Sequence, residues 1–238
     1  MSDKRLYCDI KLEVSIMEKA SIERIVAETI ADGFKAICLC QTINIHQKYH
    51  RLELNLNYPK NEVLLLYRVN LHLTNEADFK QLKNKNAELA KADLVSVSFD
   101  NSSLLEHFLK LHPEFHDNLI FIDLKTFQLV PQVLKLIKPT SYFLEFGYAD
   151  VLAPATRKQA LMTMYKLLDS MIKRIIMSSN ATTALDRRAP HDLMDFVMGI
   201  TENSKAKSAS LLNKLIVDNP VDLLKQVKLR REGLISQI

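Results

Sequence analysis

Short apolar runs punctuate the chain at 6–12, 36–40, 63–69, 94–99, 119–123, 142–147 and 174–178. Each is short, and most are rich in Ile, Val, Leu, Phe or Tyr, as strands are. They lack clean alternation, which fits strands covered on both faces. Between them lie amphipathic stretches. Ile22, Ile25, Val26 and Ile30 share one face at helical spacing, as do Leu104, Leu105, Phe108 and Leu109. Leu129, Val130, Val133, Leu134 and Ile137 repeat the pattern up to Pro139; Leu161, Met164, Tyr165, Leu168 and Ile172 form the next helix. Residues 74–90 read as a more polar helix. Strand and helix alternate, so the strands should be parallel with right-handed crossovers. Seven units predict a closed or nearly closed (β/α) barrel rather than an open sheet.

No eighth strand is evident. After Ser179 the pattern turns helical at 190–198, 204–217 and 220–231, with Asn219 expected as an N-cap and Pro220 at the first helical position. The expected fold is therefore α/β: an irregular TIM-like barrel of about seven parallel strands, with a helix-rich C-terminal end from about residue 190. No linker or repeat divides residues 1–238, so one domain is expected.

Composition removes several classes. No segment has the roughly 18 consecutive apolar residues of a membrane span. The charged start leads directly into a strand-like run, unlike a signal peptide. Cys8, Cys38 and Cys40 lie in apolar runs and read as buried thiols. The four glycines, at 33, 147, 199 and 233, are too dispersed for a phosphate loop or a dinucleotide crossover. Net charge is +4, unevenly spread. Residues 1–100 hold 14 basic and 14 acidic side chains, 101–150 hold 4 and 6, and 151–238 hold 14 and 8. A one-sided basic excess suits a phosphate-binding surface, and equally a solvated helix face.

Candidate chemistry is sparse. His46 and His50, like His112 and His116, are four apart, but neither pair carries the glutamate of H-E-x-x-H, so both read as surface histidines. Asp9, Asp123 and Glu145 lie at or in strands whose C-terminal ends would face a catalytic mouth. They could serve a metal-dependent phosphoesterase, or simply hydrogen-bond loop backbone. No nucleophile elbow occurs, and no Ser–His–Asp set falls at strand ends. The most distinctive stretch is K-R-I-I-M-S-S-N-A-T-T-A-L-D-R-R-A-P-H-D, from Lys173 to Asp192. A strand ends in small polar residues, two arginines follow, and a helix opens near Pro190; backbone N–H groups and guanidinium forks there could take phosphate. Arg188 could instead pair internally with Asp186 or Asp192 and hold the loop.

Ser178, Ser179 and Ala181, followed by Arg188, Pro190 and Asp192, resemble the signature of the barrel subunit of archaeal and eukaryotic ribonuclease P, the thirty-kilodalton protein family. Met198-Gly199-Ile200 and the helix through Ala206 and Ala209 resemble its next segment. Upstream, Tyr7-Cys8-Asp9, Asp32-Gly33-Phe34, Leu66-Tyr67-Arg68-Val69 and Phe143 to Tyr148 are similar to family strands in the same order, and Arg157 stands where a helix opens with arginine. Asn180, Ala189 and the run from Cys38 to Cys40 depart from the family pattern.

The resemblance implies a barrel subunit without catalytic residues, metal or cofactor of its own. It implies a particle whose RNA matures the 5′ end of precursor tRNA. Implied partners are that RNA, a small α/β protein subunit, other particle proteins and, indirectly, precursor tRNA, with no membrane. In eukaryotes the related RNase MRP particle, which processes ribosomal RNA, often shares the subunit. The implied location is the nucleus and nucleolus in a eukaryote and the cytoplasm in an archaeon. Candidate RNA contacts are Lys173, Arg174, Arg187 and Arg188, with Lys205, Lys207, Arg230 and Arg231 as a second group. A phosphoesterase using Asp9, Asp123 and Glu145, and an interaction module without RNA contact, stand as alternatives.

Overall fold

The computed structural model describes residues 6–54, 58–59, 61–111, 119–170, 172–201 and 205–231. Seven strands form one sheet in sequence order: β1 (Cys8–Glu13), β2 (Ala36–Asn44), β3 (Leu64–Leu73), β4 (Leu94–Phe99), β5 (Leu119–Ile122), β6 (Phe143–Gly147) and β7 (Ile175–Ser178). Every neighbouring pair is parallel. The helices are α1 (Lys19–Ala31), α2 (Ala77–Asn84), α3 (Asn86–Leu89), α4 (Ser102–Leu111), α5 (Pro131–Ile137), α6 (Ala149–Leu152), α7 (Arg157–Asp169), α8 (Pro190–Thr201), α9 (Lys205–Asn213) and α10 (Asn219–Arg231). No described helix is long and apolar enough to cross a membrane.

Local chemistry accounts for the elements. α1 buries Ile22, Ile25, Val26 and Thr29 on one stripe. It ends at Gly33, whose φ of +100° suits a residue without Cβ. There Gly33 N donates to Ile30 O (3.0 Å) and Phe34 N to Thr29 O (3.3 Å), the paired bonds of a Schellman end. α5 and α8 both open on proline, whose missing N–H costs nothing in a first turn. The polar stretch 74–90 is two helices, α2 and α3, broken at Lys85.

The barrel closes in two ways. At the C-terminal ends of the strands the seam between β7 and β1 is bonded directly. Asn180 N donates to Lys11 O (2.8 Å) and Glu13 N to Ala181 O (3.1 Å). At the N-terminal ends a helix does the work. Leu144 N of β6 takes Arg174 O, which leaves the carbonyls of Lys173 and Ile175 facing the open edge. Asn219 Nδ2 donates to both, at 3.0 and 2.6 Å. Leu223 and Val227 of α10 are buried with Cys8, Ile10, Ala36, Cys38, Leu94, Leu119, Phe143 and Ile176. α10 thus floors the barrel where an eighth strand would close it.

Asn219 is not the expected N-cap. Its backbone is helical (φ −65°, ψ −43°), and a π-helical turn, Lys214–Asp218, joins α9 to α10. Pro220 lacks the N–H that would bond the carbonyl four residues back, which favours that widened turn. The side chain freed from capping serves the β7 edge instead.

Candidate functional site

At the C-terminal mouth, two residues of β1, Ile10 and Lys11, stand against the single Cys38 of β2, where the register shifts. Lys11 is almost fully buried. Its Nζ lies 2.6 Å from Asn180 Oδ1, 3.1 Å from Glu13 Oε2 and 3.7 Å from the centroid of the Phe121 ring. Glu13 also accepts from Thr42 Oγ1 (2.7 Å) and from Ser15 Oγ. Burial would raise its pKa, but Lys11 and these hydroxyls outweigh burial and hold it low.

Deeper in the barrel, Arg68 is fully buried. Its Nη2 is 2.5 Å from Glu145 Oε2 and also donates to Ser96 Oγ (2.8 Å), Nε donates to Ser96 Oγ (3.0 Å) and Nη1 to Ile10 O (2.8 Å). Burial opposes the guanidinium charge, and the Glu145 carboxylate more than offsets it, so the pKa moves up. Asn70 Nδ2 donates to Ser98 Oγ (2.9 Å), and Ser96 Oγ donates to Asn70 Oδ1 (2.8 Å). The interior is therefore polar towards the mouth and apolar towards α10. Cys8, Cys38 and Cys40 are buried thiols, Cys8 and Cys40 being pushed up to about 12 by burial.

This network gives each of the three carboxylates of the phosphoesterase alternative a different partner. Glu145 is committed to Arg68. Asp9 is buried, its Oδ1 accepting from Ser179 N (2.9 Å) and Lys11 N (3.4 Å), and burial raises its pKa. Asp123 Oδ1 accepts from Lys125 N (2.9 Å) in its own turn. The mouth holds two ammonium or guanidinium groups, Lys11 and Arg68, beside the very carboxylates a divalent cation would need. Among the described residues no group of three His, Cys, Asp or Glu side chains is placed to hold a metal ion. His46 Nε2 is 3.5 Å from Asp78 Oδ1, and His50 is exposed. His112 and His116 lie outside the described residues.

The loop after β7 reverses the expectation for its arginines. Arg187 is buried: Nη1 donates to Ile25 O (3.1 Å) and reaches Glu28 Oε2 (3.4 Å), and Nη2 pairs with Asp32. It braces the loop to α1 and is not available to a phosphate. Arg188 is exposed, with Nη1 on the carbonyls of Leu185 (2.8 Å) and Arg187 (2.5 Å). Adjacent residues in extended backbone present opposite faces, so one arginine of such a pair turns inward; here α1 supplies carboxylates to the first. The Tyr148 hydroxyl receives Arg188 N (3.0 Å) and fixes the loop against β6.

Asn180 has φ 52°, a conformation asparagine tolerates. Its Nδ2 donates to Asp150 Oδ1 (3.2 Å), which also pairs with Lys125 Nζ (3.0 Å). Gly147 makes room for it, since a Cβ there would lie 2.1 Å from Asn180 Cβ.

Lys173 and Arg174 stand at the opposite end, where β7 begins. Lys173 is exposed, and the Arg174 guanidinium lies 5.5 Å from the Phe143 ring centroid. The expected arginine and lysine group is thus divided between two rims. Lys205, Lys207, Arg230 and Arg231 belong to α9 and α10, but their side chains lie outside the described residues. Sequence reasoning did not single out Lys11 or Asn70. The polar alternation of Arg68, Asn70 and His72 in β3, and of Ser96 and Ser98 in β4, was the available signal.

A family model described as RNase P subunit p30 matches residues 7–231. A curated relative, Protein GAMETOPHYTE DEFECTIVE 1 of Arabidopsis thaliana, is 23% identical over 171 residues, covering 70% of this chain but 29% of the relative. The chain therefore spans under a third of that relative's length. Among solved structures, a chain from a cryo-EM structure of archaeal ribonuclease P with mature tRNA matches with a TM-score of 0.58 at 12% identity, covering 97% of this chain and 93% of that one. Histidinol phosphate phosphatase from Lactococcus lactis, solved with zinc, L-histidinol and phosphate, matches with a TM-score of 0.53 at 11% identity, covering 93% and 94%. At these identities both structures speak to the fold alone.

Proposed function

Because the chain belongs to the RNase P subunit p30 family, we propose that it is a non-catalytic protein subunit of a ribonuclease P particle, supporting RNA-catalysed 5′ maturation of precursor tRNA. The single observation that carries this reading is the family match from residue 7 to 231, which takes in β1, every strand after it and α10. The barrel mouth supports the non-catalytic half. Arg68 engages Glu145, while Asp9 and Asp123 accept backbone N–H groups, so the three carboxylates of the phosphoesterase alternative each already serve a structural contact.

In this reading the subunit touches the particle RNA through cations and packs against a small α/β partner subunit. Arg188, Lys173 and Arg174 are the described candidates for RNA contact; Lys205, Lys207, Arg230 and Arg231 extend the group. Arg187 serves as a brace. Exposed Met162 and Tyr165 on α7 are apolar surface of the kind partners cover. Sharing with an RNase MRP particle belongs to the same proposal. So does location: nucleus and nucleolus in a eukaryotic source, cytoplasm in an archaeal one.

The test is capture of the tagged full chain from its source cells, with sequencing of the RNA and identification of co-purifying proteins. Ribonuclease P RNA and a small α/β subunit are expected. Recovery without any such RNA would refute the proposal, as would phosphatase or nuclease turnover by the isolated chain with Mg²⁺ or Mn²⁺ that Glu145→Gln abolishes without unfolding the protein.

A further inference from the structure

Most cations around the barrel ends are already neutralised by a carboxylate, as Lys35 is by Glu62 and Arg51 by Asp93 elsewhere on the N-terminal rim; Arg188 at the mouth and one cluster at the N-terminal rim are not. At the C-terminal mouth Lys11, Arg68 and Lys125 pair with Glu13, Glu145 and Asp150, and Arg187 beside it pairs with Glu28 and Asp32. At the N-terminal rim a cleft of about 610 Å³ opens between the turn from α5 to β6 and the turn from α7 to β7. Lys138 stands on one side and Lys173 and Arg174 on the other, with Thr140 and Ser141 between, and among the described residues no carboxylate lines it. Among the described residues none of the three cations has an ion pair.

The carbonyl ends of α5 and α7 flank this cleft and carry negative partial charge. Each helix end amounts to roughly half a charge, so together they offset about one of the three cations. A surplus of about two remains, concentrated in a concave site. The floor is held in place. Asn219 Nδ2 bonds Lys173 O, and Thr140 Oγ1 donates to Ile137 O (2.7 Å), closing the last turn of α5. Arg174 is kept upright on the Phe143 ring. The geometry is that of a fixed seat for an extended polyanion, with cations on both walls and hydroxyls between them.

We propose that this N-terminal-rim cleft, with Lys138 opposite Lys173 and Arg174, is where the subunit grips an RNA backbone, at the end of the barrel opposite Arg188. The proposal rests on the RNA-particle reading and adds its location and a residue, Lys138. Recognition is of consecutive phosphates and not of bases, because cations and hydroxyls line the walls and the buried Tyr142 and Phe143 offer no stacking face.

The test uses the full chain, a transcript of ribonuclease P RNA from the source organism and, separately, a short oligouridylate. Binding is measured across a salt series for wild type, Lys138→Glu/Lys173→Glu, Lys138→Arg/Lys173→Arg and a control, Lys80→Glu, on α2 three strands away round the barrel. Each phosphate contact contributes about 0.7–0.9 to the log–log salt slope, so the double glutamate variant should lose about 1.5 while the arginine variant and the control keep it. Both lysines are exposed, so thermal melts should coincide. In native particles, ultraviolet cross-links from residues 138–142 or 172–174 to RNA are expected. An unchanged salt slope in the double glutamate variant overturns the proposal, as do cross-links of these residues to an acidic protein only. The two readings fail separately. Capture from cells without ribonuclease P RNA, together with an oligouridylate slope that still depends on Lys138 and Lys173, refutes the particle and keeps the cleft. Recovery of the RNA with an indifferent slope does the reverse.

Discussion

Replacing Glu145 with Gln leaves Arg68 charged inside the barrel with no counter-charge. Arg68 and Glu145 are both fully buried and 2.5 Å apart, and neither Glu145 oxygen has a hydrogen-bond partner of its own. Glu145 thus acts as the balancing charge, while Ser96 and the Ile10 carbonyl hold the guanidinium in position. Removing one partner of a buried pair costs about 3–5 kcal/mol, because an uncompensated charge stays buried. For a chain of this size about 1 kcal/mol moves Tm by roughly 2–4 °C, so Glu145→Gln should lower Tm by about 6–20 °C. Removing both charges differs in kind. Arg68→Met/Glu145→Leu keeps the volume and removes the desolvation of two ions, so it should recover most of the loss or exceed wild type. Ser96 keeps its bond to Asn70 in that variant. Urea melts of both singles and the double give the coupling energy directly. A loss below about 1 kcal/mol for Glu145→Gln, or a double variant as unstable as the worse single, would refute the claim that Glu145 serves to balance Arg68. If the interior has only a structural role, the folded double variant should also capture the same RNA as wild type.

Further outcomes follow from the other contacts. Arg187→Ala should lose about 1.5–3 kcal/mol in thermal or urea melts, as befits charged hydrogen bonds, whereas Arg188→Ala should leave the melt unchanged and weaken RNA capture; the opposite pattern would exchange their roles. Burial raises the Asp9 carboxyl in the folded state, so between the ordinary carboxylate range near 4 and that raised value the folded protein holds a proton the unfolded chain has released. Stability contributed by Asp9 is therefore complete below the unfolded value and lost as pH rises through the folded one; Asp9→Asn should flatten this part of the pH–stability curve, and a parallel curve would contradict the assignment. Gly147→Ala should be destabilising and should become tolerable with Asn180→Gly, since the clash is with the Asn180 side chain; additive losses in a double-mutant cycle would exclude that cause.

Much of the barrel was legible because strand composition survives in short runs. All seven strands fall on the apolar runs of the sequence. β2 and β3 extend further, to Asn44 and Leu73, because polar residues such as Asn70 find side-chain partners in neighbouring strands, here Thr42, Ser96 and Ser98. The polar layer inside, made by Arg68, Asn70, Ser96 and Ser98, was not anticipated, because strands read only as covered on both faces say nothing of which positions point into the barrel. The role of α10 was not legible, since Leu223 and Val227 pattern like any surface helix and nothing local says that they floor a barrel. The arginine pair shows the finer limit. Sequence placed both in one loop, but only the position of Glu28 on α1 and of Asp32 just after it, far upstream, decides which is buried.

The seam between β1 and β7 also sets an order of events in time. Its closure has a long-range half, which joins Lys11 near the start of the described sequence to Asn180, and a shorter-range half, which joins the β7 edge to Asn219. A nascent chain that has emerged only through β7 therefore exposes unbonded carbonyls at Lys173 and Ile175 and an apolar barrel floor. Such an edge invites pairing with other chains. Until α10 is made the edge stays open to such pairing, whereas loop-closure entropy weighs most on the Lys11–Asn180 half of the seam, whose partners lie far apart in the chain.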